Sequence, residues 1–282
     1  MGGPAATALR APSVWRRDKG MTLGVALLGT MVICALFAPL LGTVDPTAIN
    51  PVNRLKPPSA EHWFGTDMVG RDLYSRVIYG ARVSLIVGLS VAALCALAGL
   101  AIGLVSGSIR QLDGVIMRLI DAMMSIPPVL LAIALTALWR GSLVSVIVAV
   151  TLAETPSIAR VVRGTVLSLR ELPYVEASTA VGASMMRIIL VHILPNTLPA
   201  LLVQASYVCA SAMIVESILS FLGAGIPPSI PSWGNIMADG RSLWLVLPQI
   251  IFFPAAFLSI TVLAVNLVGD GLRDMLDPRQ MK

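Results

Sequence analysis

Six stretches of this sequence run for about twenty residues with almost no charge, and no other feature constrains the fold as strongly. Met21–Leu41 is uncharged, as is Val83–Ile109, which lies between Arg82 and Arg110. Ala122–Trp139 is uncharged, and the block extends back through Val115. Ser142–Ala159 is interrupted once, by Glu154. Thr197–Val215 and Leu243–Val268 complete the set, the last with a core that starts near Pro248. A helix of about 20 apolar residues crosses the hydrocarbon core of a bilayer. An open strand edge there would leave backbone groups without partners, so each block is expected to be helical. Composition agrees: 56% of residues are hydrophobic and 12% charged, against about 25% charged in soluble domains. A water-soluble enzyme would lack the polar residues to cover itself, and a disordered chain would be poor in apolar ones. The expected fold class is an all-α polytopic membrane protein with six transmembrane helices.

The first block follows basic residues, as a signal peptide would. Its length exceeds a usual signal core, and Pro39 with Asp45 and Pro46 offers no small-residue cleavage site, so it reads as a retained span. Six spans place both termini on one side, and basic residues choose the side. With the N-terminus inside, the inner segments hold Arg10, Arg16, Arg17, Lys19, Arg110, Arg118, Arg160, Arg163, Arg170, Arg187, Arg273, Arg279 and Lys282. The outer segments hold Arg54, Lys56, Arg71, Arg76, Arg82, Arg140 and Arg241. Both termini are therefore expected in the cytoplasm. The plan is an inner tail (1–20), a first span (21–41), an outer loop (42–80) and a core of spans (81–269). The core carries an inner loop (160–196) and an outer loop (222–242), and an inner tail follows (270–282). The net charge of +5 comes from residues spread between apolar blocks, not from one stripe, so nucleic acid is not the expected partner. Cys34, Cys95 and Cys209 each sit inside an apolar block and read as small hydrophobes. His62 and His192 lie far apart, which leaves no metal site and no histidine-based triad in view.

The inner loop is the most informative segment. Pro173 suits the first turn of a helix, where its missing N–H costs nothing. Tyr174, Ala177 and Ala180 or Val181 follow at helical spacing and give one apolar face. Glu171 and Glu176 lie near the helix start, where the dipole favours negative charge. Gly182 is placed to end the helix in a left-handed conformation. Ser184 can cap a second short helix running to about His192 and stopped by Pro195. The loop is thus an elbow of two helices meeting at a glycine. Two readings fit: an amphipathic element lying on the lipid surface, or a part that presses on another protein.

The segment from Glu176 to Asn196 resembles the EAA loop of binding-protein-dependent ABC importer permeases, E-A-A, three residues, G, nine residues, I-x-L-P. Here Glu176-Ala177-Ser178 is followed by Gly182, and Leu194-Pro195 falls at the end of the pattern. Ser178 replaces the third alanine and His192 the isoleucine. The His192 variant looks like that of the peptide and nickel branch. Three further stretches are similar to that branch: His62–Asp67 with Gly70–Asp72 and Tyr79–Arg82; Glu216–Pro228 with Pro231–Asn235 and Asp239–Arg241; and Asn266–Arg279. Together they cover roughly residues 20 to 280, and the chain resembles the C-type permease of dipeptide and oligopeptide importers. The resemblance implies a multi-pass subunit of the bacterial cytoplasmic membrane. It also implies a second homologous permease, two cytoplasmic ATP-binding subunits and an extracytoplasmic substrate-binding protein as partners. Residues Glu176, Ala177, Ser178, Gly182, Leu194 and Pro195 would couple it to the ATPases. This chain lacks the phosphate-loop pattern G-x-x-x-x-G-K-[ST]. It is expected to be non-catalytic and to bind no cofactor, ATP and Mg being used by the partners.

Polar residues in the spans have a functional and a plain reading each. Asp121 follows Arg118 by three positions and reads as an interfacial pair or as part of the translocation path. Glu154 reads as interfacial or intersubunit. Glu216 belongs to an outer gate, positions the last outer loop, or simply snorkels to the interface. Pro127, Pro128, Pro248 and Pro254 kink spans that line a cavity or hinge, or bend them locally without consequence. Ala92, Ala93, Ala96, Gly99 and Gly103 mark a close-packing helix. Trp63, Phe64, Trp233 and Trp244 read as an interfacial belt or as a surface for the binding protein. Two other function classes compete: a gradient-driven secondary transporter relaying protons through Asp121, Glu154 and Glu216, and an intramembrane enzyme. The charges sit toward span ends, not at the midplane, and no Ser/His or paired-Asp constellation lies at membrane depth.

Overall fold

The computed structural model describes residues 19–139 and 141–276. The inner N-terminal tail before residue 19, Arg140, Arg279 and Lys282 lie outside the described residues. Among the described residues every regular element is helical, and the only bridge joins Thr66 to Asp72. The helices are α1 (Lys19–Leu36), α2 (Leu73–Ser108), α3 (Arg110–Met124), α4 (Pro128–Leu138), α5 (Leu143–Arg170), α6 (Pro173–Ala180), α7 (Met185–Ile188), α8 (Leu194–Phe221), α9 (Trp233–Gly240) and α10 (Gln249–Leu276). Five helical stretches are long and apolar enough to cross a bilayer: α1, α2, α5, α7 running into α8, and α10.

The expected third span is not one helix. It is broken into α3 and α4, which meet at 88°. Pro127 is the N-cap of α4 and Pro128 its first residue, so the proline pair ends one helix and starts another instead of kinking a continuous one. With 11 residues, α4 is about 16 Å long, short of the roughly 30 Å hydrocarbon core.

Helices α2, α5, α8 and α10 extend past their apolar blocks at one end or both. Helix α2 begins at Leu73, inside the expected outer loop 42–80, with Asp72 accepting from the Ser75 amide as N-cap. Helix α5 begins with a Ser142/Ser145 capping box and runs to Arg170, so the first part of the expected inner loop 160–196 is still helix. Helix α10 reaches Leu276, inside the expected tail 270–282, and Pro248 precedes it. Helix α1 stops at Leu36, short of Leu41, and Arg82 of α2 donates to the carbonyls of Ala35 and Leu36 at its end.

Helices α2, α5 and α8 form the centre, and α10 with α1 packs along α8 and α2. The α2–α5 seam follows from glycine. A Cβ at Gly99 would lie 2.6 Å from Ile158 Cγ2, one at Gly103 2.5 Å from Val162 Cγ1, and one at Gly107 2.7 Å from Val166. Three glycines at four-residue spacing thus face three branched residues at the same spacing, and the backbones approach closely. Cys95 and Cys209 are buried and Cys34 is partly so, all as free thiols.

Candidate functional site

The elbow between α5 and α8 is held at both ends. At the first, Arg170 Nη1 donates to the Gly107 carbonyl at 2.7 Å, tying the end of α5 to the end of α2. Helix α6 starts at Pro173 and carries Glu176 in its first turn. It ends in a Schellman turn: the Ala183 amide donates to Ser178 O at 3.1 Å and the Gly182 amide to Thr179 O at 3.0 Å. Gly182 sits at φ +85°, the left-handed region foreseen for it. Ser184 caps α7, accepting from the Arg187 amide.

Pro195 does not stop the second arm. After α7 the backbone widens into a π-helical stretch, Ile189–Ile193, and the Leu194 amide donates back to Ile189 O. The wider turn shifts the hydrogen-bond register just where Pro195 has no N–H to give, and α8 continues without a break. Asn196 Nδ2 donates to His192 O at 2.6 Å. Helix α7, the π-helical stretch and α8 therefore run as one continuous helical stretch, Met185–Phe221.

Only Val175 of α6 is buried, against a core that includes Ile188 and Ile193. The predicted face of Tyr174, Ala177, Ala180 and Val181 points outward, and Val181 is 85% exposed. Glu176 is exposed as well. A cleft of about 580 Å³, lined in part by Arg170, Val175, Glu176 and Ile193, opens beside them.

Asp121 does not pair with Arg118. It accepts from Arg160 Nη2 at 2.5 Å, and Asp113 accepts from Arg163 Nη2 at 2.6 Å, so two ion pairs hold α3 against the inner end of α5. Glu154 is not at the surface. It is buried between α5 and α8, where Ser211 Oγ donates to it at 2.7 Å. Glu216 does not snorkel: it is wholly buried, accepting from Ser220 Oγ at 2.8 Å, with Ser84 Oγ at 3.5 Å. It lies where α8 meets α9, since a Cβ at Gly234 of α9 would come 2.5 Å from Ser217 O.

The outer segments form a cap that sequence reasoning largely missed. Arg76 and Asp67 are buried, and Arg76 Nη1 donates to Asp67 Oδ2 at 2.6 Å and to Asp239 Oδ2 at 2.7 Å. Arg71 bonds the same two carboxylates at 2.6 and 2.8 Å. Two arginines and two aspartates thus join the segment before α2 to α9. Asp67, Arg71, Asp72 and Asp239 lie in stretches that the sequence singled out by resemblance, whereas Arg76 appeared there only among the outer basic residues. Trp233 is no belt residue. It is fully buried and donates from Nε1 to Val77 O at 3.0 Å. Phe64 stacks on Phe253 at 3.8 Å, whereas Trp63 and Trp244 are exposed. Among the described residues no group of three His, Cys, Asp or Glu side chains is placed to hold a metal ion.

Comparison with known sequences matches residues 75–282 to the family described as binding-protein-dependent transport system inner membrane component. Residues 10–58 match the N-terminal TM domain of oligopeptide transport permease C. The chain is 48% identical over 267 residues to a probable peptide ABC transporter permease protein of Sinorhizobium fredii, covering 95% of this chain and 91% of that one. It is 38% identical to the oligopeptide transport system permease protein OppC of Bacillus subtilis, covering 95% and 88%. Among solved structures, an inward-facing conformation of the MetNI methionine ABC transporter superposes with a TM-score of 0.61 at 22% identity, covering 72% of this chain and 96% of that one. At that identity the likeness speaks for the fold.

Proposed function

Since the chain belongs to the family of binding-protein-dependent inner-membrane transport components, we propose that it is the permease through which an ABC importer takes up peptides across the bacterial cytoplasmic membrane, paired with a second, related permease. The peptide cargo is argued from its relatives, which carry peptide permease names at 38–48% identity. Two cytoplasmic ATP-binding subunits would supply the energy, with ATP and Mg on their side, and an extracytoplasmic binding protein would deliver cargo to the outer cap. Family membership sets aside the gradient-driven alternative.

The observation that carries this reading is the elbow: a short helix with an apolar face and Glu176 turned outward, joined through the Gly182 turn to a helical stretch that runs unbroken from Met185 into α8. A surface helix that only rested on lipid would not need a Schellman turn at one end and an unbroken junction with a span at the other. Closure of the ATPases would push α6, and α8 would carry the displacement into the bundle as a rigid body. Glu176, Ala177, Ser178 and Gly182 form the pressing part, and Leu194 with Pro195 the junction. The α3–α4 break at Pro127–Pro128, with Asp121 beside it, belongs to the translocation path. A loose backbone at membrane depth is tolerated only against protein or water. Glu216 positions α9 at the outer gate.

The test is reconstitution in proteoliposomes with a second permease, ATP-binding subunits and a substrate-binding protein from the same organism. Peptide uptake should require ATP and the binding protein and should persist when ion gradients are collapsed. Uptake driven by a gradient without ATP would overturn the proposal.

A further inference from the structure

The two positions where the elbow departs from its family pattern, Ser178 and His192, lie fourteen residues apart in sequence and meet in space. Ser178 Oγ is 3.3 Å from His192 Nε2. A hydroxyl has one proton, and Ser178 gives it to Tyr174 O at 2.8 Å. Toward the imidazole Ser178 is therefore the acceptor, and His192 Nε2 carries the proton. The Tyr174 ring meets the imidazole edge to face at 5.9 Å. Ser178 and His192 are each half-buried.

The placement on each arm is specific. Ser178 also supplies the carbonyl that closes the Schellman turn on Gly182. His192 belongs to the π-helical stretch leading into α8, and its own carbonyl is held by Asn196 Nδ2. The hydrogen bond therefore bridges the two arms across the glycine. Alanine and isoleucine, the residues of the family pattern at these positions, could not make it. We propose that Ser178 and His192 act as one positioning unit, a strut that fixes the angle at which α6 is presented to the ATPase and so sets how much transport each ATP yields. This rests on the coupling role of the elbow proposed above. Neither side chain is a catalytic residue.

The experiment uses the whole complex in proteoliposomes and measures peptide transported per ATP hydrolysed. The variants are Ser178→Ala, Ser178→Thr, His192→Ile and the Ser178→Ala/His192→Ile double. Loss of one side-chain hydrogen bond should lower the ratio about three- to tenfold in each of the first alanine and isoleucine variants. The double variant should be no worse than the more impaired single, because both singles remove the same bond. Threonine keeps the hydroxyl and should stay within about twofold of the parent. Single variants that match the parent, or losses that multiply in the double, would overturn the strut. If His192→Ile fails to assemble, position 178 decides alone: threonine active with alanine impaired supports the bond, and equal behaviour refutes it. Gly182→Val in the same assay separates the two proposals. If it uncouples transport while the strut variants do not, the strut falls and the coupling reading stands. If it too transports normally, the coupling reading itself fails.

Discussion

Gly182 offers the cleanest perturbation of the elbow. A Cβ built on it meets nothing within 4 Å, so a side chain there collides with no neighbour and only the backbone conformation is affected. At φ +85° an L-residue costs roughly 1–2 kcal/mol relative to glycine, and a β-branched residue lies at the upper end of that range. The turn is closed by the Ala183-to-Ser178 and Gly182-to-Thr179 hydrogen bonds, each worth about 1 kcal/mol net. Strain in Gly182→Val thus nearly matches what holds the turn. With the two nearly in balance, the native angle should fall from almost full occupancy to about half. Gly182→Val should lower transport per ATP about twofold, Gly182→Ala less than that, and Gly182→Asn least, because asparagine tolerates the left-handed region. Membrane insertion and complex assembly should not change, since the turn lies outside every span; quantitative blotting of the purified complex checks this. If valine, alanine and asparagine all gave the parental ratio, the angle of the turn would be irrelevant to coupling.

The outer cap and the α2–α5 seam make separate predictions. Arg76→Met leaves Asp67, which is wholly buried, with Arg71 as its remaining cation, and loses charged hydrogen bonds worth about 1.5–3 kcal/mol each; thermal unfolding of the detergent-solubilised protein should show a clear loss that the double Asp67→Asn/Arg76→Met variant partly restores. Gly103→Leu puts a Cβ 2.5 Å from Val162 Cγ1 and 2.9 Å from Ala159 O and should destabilise by about 1–3 kcal/mol, whereas Gly114→Ala and Gly164→Ala, whose Cβ positions are open, should be neutral or slightly stabilising in the same melt.

How much of this was legible in the sequence depends on what each signal measures. Apolar runs located five spans, because the bilayer imposes a length that hydropathy reads directly. The same runs missed the ends of α2 and α5. Arg76 and Arg82 made residues 73–82 look like loop, yet Arg76 is buried in an ion network and Arg82 caps α1. Charge inside a helix is invisible to a hydropathy window when another part of the protein neutralises it. The elbow was readable in its first half because Pro173, Gly182 and Ser184 are local signals of backbone geometry. Its second half was not, because a proline that usually ends a helix can be absorbed by a π-turn one residue before it.

The remaining differences have one cause, which is pairing at a distance. Asp121 had Arg118 nearby in sequence and found Arg160 instead; Glu216 and Glu154 had no partner within reach on their own helices except Ser220, and found serines on neighbours. Such pairings are set by helix packing, and packing here is set by the glycines of α2. Gly99, Gly103 and Gly107 bring α5 close enough that the inner end of α5, with Arg160 and Arg163, stands over α3. The small-residue spacing was plain in the sequence as a packing signal, but not which helix it would receive. Once α5 is known to be the recipient, the Arg160 and Arg163 pairs to α3 follow from helical spacing along α5, and so does the Arg170 bond that anchors the elbow to Gly107. The glycine seam is therefore the step that links the membrane core to the cytoplasmic handle: the same close approach that packs the spans fixes where the handle leaves them.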